Sequence, residues 1–440
     1  MVSLPVISSW DPRATSSGSI DPLGALRAYN AIAGFLMPGA TTITTRVRYL
    51  SWLCAGLRLL DEVADAPSGG RAGRSRRQRL LAWERFLVLA TARHAIAIGA
   101  PSDAAVWRGL RGISYVRRAI EQGKLSTDFE LLSNQAAVGG VGTYWVTLVN
   151  GGLVEDVPAE LTHRGTLLAD ELLKRLGPSA RDKLRRILAG DVMAFSEAEL
   201  VRWGKAISLD VANASPTERR GLRDALLEPR THRQFSLAID GTKHAQSNPA
   251  AFKRLERRLR AQKDDTADRM AAVMEVTRAF EALHAGLLDQ FDRLLALDTR
   301  GVPVSLAIAA RAIENTDTLR VRGSELAKRL DAFSAVPREI TSPLRQFLGS
   351  VQSVLDVESP RQFVLEICRL HERVQSGKLD ASRQPKQPWI ALQDGAIIVA
   401  PRFAVDVGRD PRGDSTFTHP YRIESFAGML SELGMPGATA

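Results

Sequence analysis

A single carboxylate beside a turn is the simplest catalytic group that this sequence offers. Asp21 precedes Pro22 at the start of an apolar helical segment, and Asp240 lies in the turn-rich stretch LAIDGTKHAQSNP. An enzyme that removes a base from DNA needs a pocket for the flipped base and one carboxylate, which activates water or stabilises an oxocarbenium-like sugar. Asp21 and Asp240 are therefore the predicted catalytic residues of a metal-independent DNA glycosylase. Helix capping by Asp21 and turn formation by Asp240 are the alternative roles.

Longer catalytic motifs are absent from the sequence. Neither GxxxxGK[ST] nor a GxGxxG following a strand occurs, which leaves ATP-driven and dinucleotide chemistry unsupported. No two of the seven histidines form an HxxxH or HExxH pair. The stretch RAFEALH, residues 278–284, is similar to the Arg-x4-His of helical ribonucleases, but its spacing is one residue too long. The sequence therefore predicts neither a metal nor a cofactor.

The composition is that of a globular protein with a basic surface. The 440 residues suffice for two or three domains, and 45% hydrophobic with 25% charged residues argues against disorder. Lysine and arginine number 59 against 49 acidic residues, a net charge of +10 that favours a nucleic-acid partner. Cys54 and Cys368 each lie in an apolar helical context, which is typical of a reducing compartment. With no secretory signal and no apolar run of membrane-spanning length, we expect a cytoplasmic protein without a membrane partner.

A polar and basic segment interrupts the apolar residues near the start of the chain. Asp21 as N-cap and Pro22 at the first helical position predict a helix that stops at Pro38-Gly39. A second helix is predicted from about Thr44 to Ala64, and unpaired amides at its N-terminus would favour an anion. The expected result is a rigid helix-turn-helix element that presents a polar strip to a nucleic-acid backbone or a base pocket. The predicted contacts are Thr41, Thr44, Arg46, Arg48 and Tyr49. Alternatively, the threonines cap the second helix and the two arginines pair with carboxylates.

Two turn-rich basic stretches extend this prediction. The loop APSGGRAGRSRRQR, residues 66–79, and the stretch EPRTHRQF, residues 228–235, each concentrate arginines that could contact phosphate. The predicted contacts are Arg74, Arg76, Arg77, Arg230 and Arg233. A solvated charge run without a partner is the alternative for both stretches.

Residues 134–177 change character from apolar helix to a glycine-rich turn and back to helix. A helix that ends at Gly151-Gly152, a short strand at Leu153-Val154, and LTHRGTLLADELL with Thr162 as N-cap resemble the winged-helix segments of transcription regulators. A second interpretation takes VGGVGTYW as a hairpin whose amides grip a phosphate, similar to the glycine hairpins of base-excision enzymes. Both interpretations bring Tyr144, Trp145 and Arg164 near nucleic acid. The alternative makes the two aromatic residues ordinary core residues.

The predicted fold class is mainly α, multi-helical, with the winged-helix-like segment and a small C-terminal β-hairpin. The hairpin is indicated by two apolar runs joined through Gln393-Asp394-Gly395. Four segments are predicted: an N-terminal helical domain with a basic loop at 1–133, the winged-helix-like segment at 134–178, a helical domain at 179–380, and the hairpin with a final helix at 381–440.

Two blocks of the sequence resemble an uncharacterised family of proteins encoded in bacterial phage-defence islands. The first block has the form DPLG…PGxTxxTxRxRY, and the second has the form YxxxLxxxGL…LTxxG. The first is carried by Asp21, Leu23, Gly24, Pro38, Gly39, Thr41, Thr44, Arg46, Arg48 and Tyr49, and the second by Tyr144, Leu148, Leu153, Leu161, Thr162 and Gly165. The resemblance implies a defence context with foreign DNA as partner, and it assigns no catalytic residue. Trp145 departs from the tyrosine that the relatives often carry.

The predicted function is that of an anti-phage defence protein that binds invading DNA and acts on it directly by excising a modified base. Two alternatives stay open. The protein could be a non-catalytic DNA-binding subunit that recruits a neighbour-encoded nuclease or helicase, or it could be a transcription regulator of a defence operon.

Overall fold

The chain divides into two compact units. The computed structural model describes residues 21–64, 76–104, 106–157, 159–191, 194–239, 246–297, 302–332, 336–380, 383–403 and 416–435. The first unit comprises Met1–Ala33 and Ser247–His419, and the second comprises Gly34–Gln246 and Pro420–Ala440. The segment boundaries that the sequence predicts after residues 133, 178 and 380 fall inside these units. Among the described residues, no helix combines the length and the apolar character needed to span a bilayer.

The second unit is mainly helical. Helix α1 begins in the first unit and ends in the second. The helices up to residue 238 are α1 (Leu26–Leu36), α2 (Tyr49–Ala64), α3 (Arg76–Ala97), α4 (Ile113–Glu121), α5 (Gln135–Val138), α6 (Gly140–Asn150), α7 (His163–Leu176), α8 (Pro178–Ala189), α9 (Glu197–Ile207), α10 (Pro216–Leu226) and α11 (Arg230–Ala238). The core of this unit contains Trp52 on α2, Trp83 on α3 and Trp203 on α9, all nearly inaccessible to solvent.

The first unit is also mainly helical, with one small sheet. Its helices are α12 (Pro249–Ala261), α13 (Asp265–Leu295), α14 (Leu306–Arg311), α15 (Thr316–Ala332), α16 (Arg338–Leu355) and α17 (Pro360–Ser376). The last helix, α18 (Ile423–Glu432), belongs to the second unit. The long apolar run from Pro249 to about Leu297 forms two helices instead of one continuous element. Gln262 ends α12, Lys263 has a positive φ of 54°, and the Asp264 carboxylate caps α13.

Short strands form two antiparallel sheets. In the second unit β1 (Val154–Glu155) pairs with β2 (Glu160–Leu161) between α6 and α7. In the first unit β4 (Ile390–Gln393) and β5 (Ala396–Val399) form the expected hairpin, whose turn residues Asp394 and Gly395 have φ values of 49° and 77°. The strand β3 (Val304–Ser305), which the sequence pattern does not indicate, pairs with the free edge of β5. The mainly α fold class with a small C-terminal hairpin is confirmed.

The predicted order of helix, short strand and helix over residues 140–176 is also confirmed, and the second strand, β2, was not predicted. The Thr162 hydroxyl accepts a hydrogen bond from the Gly165 amide at 3.1 Å, as an N-cap does. The interpretation of VGGVGTYW as a glycine hairpin is wrong, because Gly140 to Asn150 form α6. The helix predicted from Thr44 begins five residues later, at Tyr49, and residues 37–48 form turns before it.

Candidate nucleic-acid interface

Arg48 lies in the interior of the second unit. It directly precedes α2 and connects the start of that helix to α9 and α10. Its guanidinium forms an ion pair with Glu218 on α10, with Nε at 2.9 Å and Nη2 at 3.1 Å from the two carboxylate oxygens. The same group donates to the carbonyls of Ser208 and Ala206. Both charged side chains have no solvent exposure. A buried guanidinium needs this number of acceptors, because an unpaired buried charge is very costly.

Arg46 binds the backbone of two separate loops. Its guanidinium donates to the carbonyl of Arg108 at 3.0 Å and to that of Leu209 at 2.9 Å, and it forms an ion pair with Glu432 on α18. The side chain is 7% exposed. Arg46 therefore fastens the turn before α2 to elements that lie far away in the sequence.

Thr44, Tyr49 and Tyr144 are also internal. Thr44 is buried, and its hydroxyl accepts from the Thr41 amide at 2.8 Å. The Tyr49 and Tyr144 rings stack with centroids 4.6 Å apart, and the Tyr144 hydroxyl accepts from the Arg46 amide at 2.9 Å. Burial raises the pKa of both phenols. The expected exposed strip from Thr41 to Tyr49 is thereby corrected: Thr44, its two arginines and the Tyr49 ring lie in the core of the unit, and Thr41 is half-buried. Tyr49 and Tyr144, which belong to two separate blocks of the sequence, meet in this contact.

The amides at the N-terminus of α6 already have an anionic partner. The Glu84 carboxylate on α3 accepts from the Gly140 amide and from the Gln135 side-chain amide, the latter at 3.0 Å. Burial raises the pKa of Glu84, while these hydrogen bonds lower it. A Cβ atom at Gly140 would lie 2.6 Å from the Tyr49 ring and 3.0 Å from the Glu84 carboxylate, so only glycine allows this approach. An internal carboxylate thus occupies the position at which a phosphate was expected.

The hairpin between α6 and α7 carries acidic residues where a DNA-binding wing would carry basic ones. Glu155, Asp156 and Glu160 lie in or beside its strands, and the Asp156 carboxylate accepts from the indole of Trp145 at 2.8 Å. Trp145 also lines an apolar cavity of about 520 Å³, together with Leu57, Leu80, Ala136, Val141, Gly142, Val146 and Ala159. Arg164, at the start of α7, pairs with Glu228 at 2.7 Å. Phosphate recognition is therefore disfavoured on this face.

Of the two predicted catalytic carboxylates, the structure describes only Asp21. Asp21 is buried and accepts from the amides of Ala25 at 2.7 Å and Leu26 at 3.1 Å, so it caps the start of α1. Asp240 and Arg74 lie outside the described residues, as do the side chains of Arg76 and Arg77 at the start of α3. The catalytic roles of Asp21 and Asp240 stay predictions.

Two of the predicted phosphate contacts do lie on the surface. Arg230 and Arg233 occupy the first two turns of α11 and are exposed. Arg233 donates to the carbonyl of Glu228 at 3.1 Å. His232, which lies between them in the sequence, points into the core against Phe426, with ring centroids 4.3 Å apart.

One strongly basic helix surface among the described residues is that of α12, in the first unit. Between Pro249 and Ala261 the sequence PAAFKRLERRLRA has five basic residues against one acidic residue. Ala251, Phe252, Leu255 and Leu259 are buried at helical spacing, so the basic residues lie on the opposite side. Lys253, Arg257, Arg258 and Arg260 are exposed, and Arg254 is half-buried.

These five cations, which we call the α12 basic face, differ in their partners. Arg260 reaches Glu275 at 3.0 Å and Glu256 at 3.6 Å. Glu256, the acidic residue of the helix, is also paired with Arg278 at 2.7 Å. Within the described part of the chain, Lys253, Arg254 and Arg257 form no ion pair. The charge of these three residues is therefore available for an external anion.

The same unit brings together side chains that can hold a metal ion. Glu281 and His284 lie one turn apart on α13, and His419 lies in the segment that ends the unit. Each residue offers one ligand atom, and these three atoms all lie within 4.8 Å of one another. The stretch RAFEALH contains two of these residues. His419 lies 135 positions after His284, which is why no local motif indicated the cluster.

Comparison with protein-family models, curated proteins and solved structures gives no match. Function must therefore be inferred from these side chains.

Proposed function

We propose that this protein binds DNA through the α12 basic face and acts in defence against phage. The observation that carries the proposal is the row of cations on α12, in which the exposed Lys253 and Arg257 and the half-buried Arg254 have no carboxylate partner among the described residues. A surface that neutralises phosphates supplies most of the affinity of sequence-independent DNA binding.

The spacing on α12 suits contact with a phosphate backbone. Lys253 and Arg257 are four residues apart, as are Arg254 and Arg258, so each pair lies on one side of the helix. From Lys253 to Arg260 the helix rises by roughly 10 Å, which lets one helix contact more than one phosphate. Arginine, which makes up four of the five cations, can bind phosphate through two parallel hydrogen bonds.

An anionic membrane surface is a less suitable partner for this helix. Membrane-surface helices insert an apolar face opposite their cations. The apolar residues Phe252, Leu255 and Leu259 are buried inside the first unit and cannot insert. A soluble polyanion therefore fits the α12 basic face better than a bilayer does.

The defence context rests on the two sequence blocks that resemble the phage-defence family. Tyr49 and Tyr144 bring these blocks into one internal contact, so the residues of the two blocks contribute to the core and the proposed binding surface lies elsewhere. A cytoplasmic location belongs to this proposal, because invading DNA is met there.

The reaction that we propose is excision of a modified base from the bound DNA. A non-catalytic DNA-binding subunit, which recruits a neighbour-encoded nuclease or helicase, is the second candidate. It is favoured by the capping role of Asp21, which leaves Asp240 as the one predicted carboxylate without an assigned structural role. The acidic hairpin beside α6 disfavours a winged-helix transcription regulator.

The test combines binding and chemistry on the full-length protein. Purified protein is titrated onto labelled DNA at several salt concentrations, and is then incubated in EDTA with ordinary DNA and with phage DNA that carries modified cytosines. Strand breaks after alkali that are confined to the modified DNA would show base excision. Salt-dependent binding with both DNAs intact would favour the recruiting subunit, and the absence of salt-dependent binding would refute the proposal.

A further inference from the structure

We propose that Glu281, His284 and His419 bind one divalent first-row transition-metal ion. This metal site does not depend on the DNA-binding proposal. Two imidazoles and one carboxylate form the ligand set of many zinc sites and of non-haem iron sites. Magnesium is a poor candidate, because it prefers oxygen ligands.

The positions of the three side chains already converge. Three atoms within 4.8 Å of one another fit inside a circle of about 2.8 Å radius, so a single ion lies within an ångström of bonding distance to each ligand. The spacing of Glu281 and His284 places both on the same side of α13.

Thr418 marks the point of convergence. Its hydroxyl oxygen lies 2.7 Å from a Glu281 carboxylate oxygen, 2.8 Å from His284 Nδ1 and 3.0 Å from His419 Nδ1. One oxygen atom within hydrogen-bonding distance of all three ligands shows that they surround a common position. Rotation of the Thr418 side chain would open this position to an ion.

Burial of the cluster makes ion binding favourable for Glu281. Glu281 is 1% exposed, and in the ion-free arrangement its carboxylate accepts from the Thr418 amide, from the Thr418 hydroxyl and from His419 Nδ1 at 2.7 Å. A divalent cation would compensate the buried carboxylate more strongly than these hydrogen bonds do.

Binding requires one ring to turn. The His284 and His419 rings lie at 14° to each other with centroids 4.8 Å apart, and an imidazole nitrogen binds a metal in the plane of its ring. His419 is the ring that can move, since it lies outside the helices and is 14% exposed, whereas His284 is held within α13. His419 also stacks on Tyr29 at 4.7 Å, so ion binding would disturb that contact.

The test is calorimetric titration of Zn²⁺ into full-length protein that has been treated with EDTA and dialysed. We expect one ion per chain and loss of that binding in His419→Ala. The matched control is His163→Ala, which removes an exposed imidazole at the start of α7 and should leave binding unchanged.

A second measurement does not depend on any variant. Co²⁺ added to the wild-type protein should give a visible absorption spectrum typical of nitrogen and oxygen ligands in a protein site, and Zn²⁺ should abolish it by competition. No stoichiometric Zn²⁺ binding, equal binding by His419→Ala and wild type, or loss of binding in His163→Ala would each overturn the proposal.

Discussion

Arg48 shows how a residue that suggests nucleic-acid contact can instead stabilise the interior. Its partner Glu218 lies 170 positions away in the sequence. No local pattern reveals such a pairing, so composition alone favours a surface role for the arginine. The alternative that Arg46 and Arg48 pair with carboxylates agrees with the observed ion pairs to Glu432 and Glu218.

Replacing Arg48 should destabilise the second unit strongly. Arg48→Ala leaves the Glu218 carboxylate buried without its cation, and loss of one partner of a buried pair typically costs about 3–5 kcal/mol. Urea denaturation followed by tryptophan fluorescence measures the change. Arg220→Ala, at an exposed position of the same helix α10 as Glu218, is the control and should change stability by no more than about 0.5 kcal/mol. A similarly small effect of Arg48→Ala would contradict this account of the core.

His371 should make the stability of the first unit depend on pH. Burial, together with the charge of Lys378, lowers the pKa of its imidazole from 6.5 to about 4, although the hydrogen bond to the Pro22 carbonyl raises it. His371 Nε2 accepts from the Trp389 amide at 2.8 Å, which requires the neutral ring. Because the folded pKa lies below the unfolded value, this contribution is complete above pH 6.5 and is lost as the pH falls towards 4.

We expect roughly 2–3 kcal/mol of stability to be lost through His371 across that range. Urea denaturation at pH 7 and at pH 4 measures the loss, and His371→Gln should reduce it. His163→Gln, at an exposed position, should show the same pH dependence as the wild type. An unchanged pH dependence in His371→Gln would exclude this residue as the cause.

At the scale of elements, signals that act within a few residues predicted the structure well. The N-cap Thr162 and the Asp394-Gly395 turn depend on neighbouring groups, and both form as expected. Asp21 accepts from amides at the start of α1, but that helix begins at Leu26, four residues after the predicted start at Pro22. The start of α2 was misplaced because the threonines before it bond to one another within a turn, as the Thr44 hydroxyl does with the Thr41 amide. The strand β3 was missed because two residues give too short a pattern.

The N-terminus of α6 should depend on Glu84. Glu84→Ala removes the acceptor for the Gly140 amide and for the Gln135 side chain, and an unsatisfied buried donor costs about 1–3 kcal/mol. Thermal unfolding followed by circular dichroism should show a lower melting temperature for Glu84→Ala. Glu121→Ala, at an exposed position at the end of α4, should melt as the wild type does. Equal melting of all three proteins would show that the cap contributes little.

At the scale of the whole molecule, net charge favours a nucleic-acid partner but does not locate the surface that would bind it. The excess of lysine and arginine is visible in the sequence, whereas which cations are neutralised depends on the fold. Arg164 is paired with Glu228 and Arg278 with Glu256, while Lys253 and Arg257 have no ion pair among the described residues. The cations on α12 that are available to an external anion are therefore a small part of the total.

Fluorescence anisotropy of labelled DNA titrated with charge-reversal variants tests the central claim most directly. The double variant Lys253→Glu/Arg257→Glu alters the α12 basic face, and Arg230→Glu/Arg233→Glu alters α11. Arg345→Glu/Arg369→Glu makes the same change in net charge at exposed positions that are paired with Asp331 and Glu366. We expect the α12 variant to bind most weakly. The slope of its log binding constant against log salt concentration should be smaller than that of the wild type, by the equivalent of about two phosphate contacts. Binding by the α12 variant equal to that of the Arg345/Arg369 control would contradict the account.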